Sequence, residues 1–249
     1  MLDRITKSEL SFDDLLEIAW KIFWQNQKEI LKIWATFAVA IGIFSRFIFE
    51  TIQQTVVQKG DISPFLWTFF AMSILIGFLS LLFVISLTFL TNSFVKSSPM
   101  TYGDTLRRSF TKLWSVLWTS VLLSILLIFL GFAFIIPLFI FAVYWGFSVY
   151  AVILRDVSGL SALRYSKKIV EGRWWKTFGM FFLIGIVGFV AQAPINFVFG
   201  FLIDKHILPN NIVTGVITGA VQYYVSLFFM VANIVLFLNF EATRKNTDN

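Results

Sequence analysis

The chain has 249 residues, 58% of them hydrophobic and 14% charged, with a mean hydropathy of +0.81. Water-soluble domains keep roughly a quarter of their residues charged, so this composition argues against a soluble enzyme. Cysteine is absent and His206 is the only histidine, which leaves no material for disulfides, cysteine nucleophiles, thiolate metal centres or multi-histidine metal sites.

In chain order, Asp3, Glu9, Asp13 and Asp14 precede any apolar run, so no cleavable signal peptide is expected. Residues 11–27 read as an amphipathic helix. Ser11 stands as N-cap with Asp14 three residues on, and Phe12, Leu15, Leu16, Ala19 and Phe23 recur at helical spacing. A first apolar span follows over 31–50, and a second, free of charge, over 64–90. Residues 101–112 repeat the amphipathic pattern, with Thr101 and Asp104 in the cap positions and Tyr102, Leu106, Ser109 and Leu113 behind them. The uncharged stretch from Leu113 to Leu154 is long enough for two spans. They are placed at 113–134 and 136–154, with the turn at Gly131 and Pro137, since proline is tolerated in a first helical turn. Residues 158–172 repeat the pattern more loosely through Ser161, Leu163, Ser166 and Val170. The fifth span is expected over 176–200, kinked or ended by Pro194, and the sixth over 212–240. The expected fold is all-α: one polytopic membrane bundle over 1–249, with six transmembrane helices in three hairpins, each hairpin preceded by a cytoplasmic amphipathic interfacial helix.

Charge sets the orientation. The segments before span one, between two and three, between four and five, and after six hold 17 of the 20 basic residues. The positive-inside rule then puts both termini in the cytoplasm, in a cytoplasmic (inner) membrane. Trp20, Trp24, Trp114, Trp118, Trp174 and Trp175 suit the headgroup layer, where indole concentrates. Membrane lipids with anionic inner-leaflet headgroups are the expected partners. A protein partner or a second copy of the chain is the sharper alternative, and nucleic acid is not needed to explain the charge.

Four sets of residues are candidates for function. Arg164, Lys167 and Lys168 share a helix face, and Arg173 and Lys176 follow; they read as topological anchors, or as contacts for lipid headgroups or a partner. Gln192, Asn196, Gln222 and Asn233 lie within spans; they read as interhelical hydrogen-bonding groups, or as the lining of a polar cleft beside Pro194. Gly215 and Gly219 form a GxxxG step that permits close helix packing. Arg46 and Glu50, one turn apart near the outer end of span one, read as a snorkelling interfacial pair, or as a gating or substrate-binding arginine. No catalytic set, metal set, phosphate loop or cofactor motif is visible.

The segment from Pro137 to Gly179 is the most distinctive. Pro137-Leu-Phe-Ile, Ala151-Val-Ile-Leu-Arg-Asp and Ala162-Leu-Arg-Tyr-Ser, continuing to Gly172-Arg-Trp-Trp-Lys-Thr-Phe-Gly179, resemble the membrane domain of the glycerophosphoryl diester phosphodiesterase membrane-domain superfamily. Phe12 to Trp34 and Leu236 to Arg244 are similar in character. The resemblance implies a six-helix bundle without the soluble phosphodiesterase domain, whose acidic metal ligands and histidines are not found here. The expected role is therefore a non-enzymatic accessory, scaffold or assembly factor, with a carrier or flippase-like protein for a neutral or amphiphilic solute as the alternative. A membrane enzyme ranks last.

Overall fold

The computed structural model describes residues 2–51, 63–133, 135–209 and 212–248. Every element among them is helical: α1 (Leu2–Lys7), α2 (Phe12–Gln25), α3 (Gln27–Thr51), α4 (Ser63–Val95), α5 (Tyr102–Ala133), α6 (Ile135–Trp145), α7 (Ser148–Arg155), α8 (Leu160–Val170), α9 (Trp174–Asp204) and α10 (Ile212–Asp248). Five stretches are long and apolar enough to cross a membrane: Leu66–Val95, Tyr102–Phe132, Ile135–Arg155, Trp174–Asp204 and Val213–Arg244. Their outer faces carry unburied apolar side chains, among them Phe129, Phe132, Phe189 and Phe197, of which Phe132 is 89% exposed. Such a continuous apolar surface is tolerable only in lipid, and the chain is a multipass membrane protein.

Local chemistry explains the starts of α2, α5 and α8. Ser11 Oγ accepts from the Asp14 amide at 3.2 Å and donates to its carboxylate at 2.7 Å, and Thr101 makes the same two contacts with Asp104. Both expected caps are present. The third repeat differs, because α8 starts behind Gly159, whose φ of +55° and ψ of −134° suit glycine and whose side chain cannot cap. Residues 101–112 also form no separate helix: they are the first turns of α5, which runs unbroken to Ala133. A helix of 32 residues is about 48 Å long at 1.5 Å per residue, so its first turns stand outside a hydrocarbon core of roughly 30 Å.

Two further expectations change. The stretch 136–154 is two helices, with a break at Gly146–Phe147. There Phe181 leaves no room for a side chain at Gly146, since a Cβ would lie 2.6 Å from its ring. Pro194, in turn, sits inside α9 without ending it. Lacking an N–H, it leaves the Val190 carbonyl without its helical partner, a cost neighbouring helices commonly absorb in membranes. The first expected span, 31–50, follows α3, but the side chains of Arg46 and Glu50 lie outside the described residues.

α10 is the axis of the molecule. It packs against α1, α2, α3, α4, α8 and α9, and from Val231 to Phe240 nearly every side chain is buried. Leu15, Ile18 and Ala19 of α2, Ile33 and Phe37 of α3, and Phe83 and Leu87 of α4 share its core. By contrast, α9 meets chiefly α10 and α6 and turns the rest of its surface outward.

Candidate functional site

The described termini meet at one end of the bundle, which is closed by a polar network around the last turns of α10. Glu241 is 4% exposed. Its carboxylate accepts from Arg155 Nε and Nη2, a bidentate pair, and from the Tyr165 hydroxyl. Burial, followed by the neighbouring carboxylate, pushes the Tyr165 hydroxyl up to about 12, so it stays a donor across the physiological range. Two residues before Glu241, Asn239 is fully buried. Its Oδ1 accepts from the Leu10 amide at 3.1 Å, and its Nδ2 donates to the carbonyls of Ile5 and Ser8 at 2.9 and 2.7 Å. The N-terminal segment is thereby fastened to the last helix through three backbone groups that would otherwise be orphaned.

The basic cluster divides. Arg164, Lys167 and Lys168 lie on the exposed face of α8. Arg173 turns inward: Nη1 donates to Glu9 at 2.8 Å and to Thr243 Oγ1 at 2.9 Å, Nη2 donates to the Phe240 carbonyl at 3.1 Å, and the guanidinium lies over the Phe240 ring. Lys176 reaches the other Glu9 oxygen at 2.6 Å. Burial raises the Glu9 carboxyl, but Lys176 and Arg173 more than reverse this and hold it below its ordinary value. Two of the five candidate cations are therefore structural.

Ser166, on the buried face of α8, seals the break between α6 and α7. Its Oγ donates to the Tyr144 carbonyl at 2.7 Å and accepts from the Phe147 amide at 3.1 Å. Thr119 of α5 accepts from the Gly159 amide at 2.8 Å. The amphipathic helix thus closes the end by filling backbone vacancies as well as burying Ala162, Leu163, Ile169 and Val170.

The intramembrane polar candidates do come together, along the seam of α9 and α10. Gln222 donates to Asn196 Oδ1 at 2.6 Å, and Gln192 to Ser226 Oγ at 3.3 Å. Asn233 instead bonds its own helix at the Phe229 carbonyl, at 2.9 Å. Shallow grooves of about 490 and 340 Å³ lie on either side of these two rungs, the first lined by Gly188, Gln192, Ser226 and Asn233, the second by Asn196, Gly215, Gly219 and Gln222. Gly215 and Gly219 support no close packing within the described chain, for a Cβ at either would meet no atom within 4 Å.

Sequence reasoning missed Arg155, Tyr165 and Glu241 as one unit, and Asn239 as a staple. A charged residue closing an apolar stretch, as Arg155 and Glu241 each do, was the available signal. Among the described residues no group of three or more His, Cys, Asp and Glu gathers as a metal set. Comparisons with protein-family models, curated proteins and solved structures found no match to this chain.

Proposed function

We propose that the chain is a non-enzymatic multipass protein of the cytoplasmic membrane, an accessory, scaffold or assembly factor that acts through helix packing and through lipid or partner contact at its capped end. Six spans, with α3 as the first, and cytoplasmic termini belong to this reading. It is supported by the gathering of Glu9, Lys112, Arg155, Arg173 and Arg244 at one end, in contact with one another or with neighbouring segments. The resemblance of Pro137 to Gly179 to a membrane domain separated from its phosphodiesterase agrees with it.

The observation that carries the proposal is the Glu241 network. A carrier must part its helices at each end in turn, whereas here a buried bidentate ion pair and the Asn239 staple fasten four segments of one end together. The second reading, a carrier or flippase-like protein for a neutral or amphiphilic solute, draws on the paired grooves beside Pro194.

The absence of native cysteine makes the test clean. Ser226→Cys and Asn233→Cys variants in sealed vesicles should resist a membrane-impermeant thiol reagent from both sides, while Lys168→Cys should react from the cytoplasmic side alone. Labelling of Ser226→Cys from either side would overturn the scaffold reading in favour of the carrier. Labelling of Lys168→Cys from outside would overturn the orientation.

A further inference from the structure

A cleft of about 610 Å³ opens at the same end, between the close of α4, the opening of α5 and the end of α7, where Leu154 and Asp156 flank the Arg155 of the Glu241 network. Lys96, Arg108 and Lys112 line it, against the single carboxylate of Asp156. Asp156, in the left-handed region at φ +55°, is paired with Lys112, so two cations remain with no carboxylate partner among the described residues. Asn92, Ser93, Ser98 and Thr111 add polar groups, and Phe89, Ile153 and Leu154 supply an apolar wall.

The cleft is held in shape from within. Ser93 is 3% exposed; its Oγ donates to the Leu90 carbonyl at 2.7 Å and takes the Met100 amide at 3.4 Å, which ties the 96–100 turn to α4. The Ser98 amide also bonds the Ser93 carbonyl at 3.0 Å. Asn92 adds a separate observation. Its Oδ1 is shielded from solvent and has no hydrogen-bond partner, so it belongs to the wall of the cleft, and the open cations are left to meet a ligand. The depth is set by α5: Arg108, Thr111 and Lys112 occupy one face, while Phe110, Trp114 and Trp118 stand exposed on another. Exposed indoles at that level mark the headgroup layer.

We propose that this cleft binds the phosphate of an anionic lipid headgroup, with Lys96 and Arg108 taking the phosphate oxygens. This names a lipid contact for the accessory role and rests on the reading that this end of the bundle lies at a leaflet surface. A water-soluble phosphate ester offers the same chemistry without the acyl chains that Phe89 and Leu154 would meet.

The test uses the full chain in nanodiscs of phosphatidylglycerol mixed with phosphatidylcholine, with native mass spectrometry reading the lipid retained. Lys96→Gln/Arg108→Gln should lower phosphatidylglycerol retention about tenfold, given the worth of each cation near an anionic surface. Lys167→Gln/Lys168→Gln, which removes the same charge from the exposed face of α8, should lower it less than about twofold. Equal loss in the two double variants would overturn the inference. Displacement by glycerol 3-phosphate, with no phosphatidylglycerol retained, would overturn its lipid assignment. Labelling of Ser226→Cys bears on the scaffold reading alone and leaves this outcome standing.

Discussion

The two halves of α10 live in different environments. From Val231 to Thr243 the helix is enclosed by neighbours and bonded through Asn239, Glu241 and Thr243 to residues far away in sequence. From Val213 to Ser226 it meets α9 through two amide contacts with grooves beside them and α3 through Trp34 at the Ala220 carbonyl and Gln27 at the Tyr224 hydroxyl, and much of its surface is open. A membrane helix gains little from burying apolar side chains against others, because lipid tails are equally apolar. The difference shows what fixes this fold: polar groups and backbone vacancies at the end where water is near, with packing in the membrane following.

That contrast can be broken most severely at Glu241. Glu241→Ala leaves Arg155 and Tyr165 without their shared acceptor, and loss of one partner of a buried pair costs roughly 3–5 kcal/mol; the fall in thermal midpoint in detergent should be the largest of any single change proposed here. Asn239→Leu should follow, with a loss of about 2–3 kcal/mol as Leu10, Ile5 and Ser8 lose their partners; limited proteolysis should then release the N-terminal segment first.

Acid offers a gentler probe. Because Glu9 is held below its ordinary value of 4.5 in the folded protein, the folded state binds fewer protons there than the unfolded state. Its contribution is present at neutral pH and is lost as pH falls below 4.5. Glu9→Gln should flatten that acid limb of the midpoint–pH curve, with a loss of about 1 kcal/mol at pH 7. Smallest of all, Gln222→Leu should cost about 0.6 kcal/mol. A larger loss at Gln222 than at Asn239 would invert the comparison.

Much of this was legible in sequence. Hydropathy located the apolar stretches because lipid permits few charges, and the caps at Ser11 and Thr101 were readable because they are local chemistry spanning three residues. The charge pattern grouped the segments that the structure gathers at one end. The junction of Arg155 with Glu241 was not readable, since 86 residues separate them and nothing local tells a partnered charge from an exposed one. The same limit hid the inward turn of Arg173, which looked like one more anchor beside Arg164, Lys167 and Lys168. The break before α7 was missed because the groups that accommodate it, Phe181 against Gly146 and Ser166 at Phe147, are supplied from elsewhere in the chain. Pro194, expected to kink or end the fifth span, does not end it, because the continuous apolar helix around it carries on past the missing N–H.

The most direct test of the claim that the capped end is one fastened unit is amide hydrogen exchange at Leu10. This residue precedes α2 in an irregular segment and would exchange quickly if it were merely a surface loop. With its amide given to Asn239 Oδ1 and its side chain 2% exposed, it should exchange as slowly as the helical amides of α2, and Asn239→Leu should speed it by about 30-fold or more, the factor corresponding to roughly 2 kcal/mol. Fast exchange at Leu10 in the unaltered protein would contradict the account.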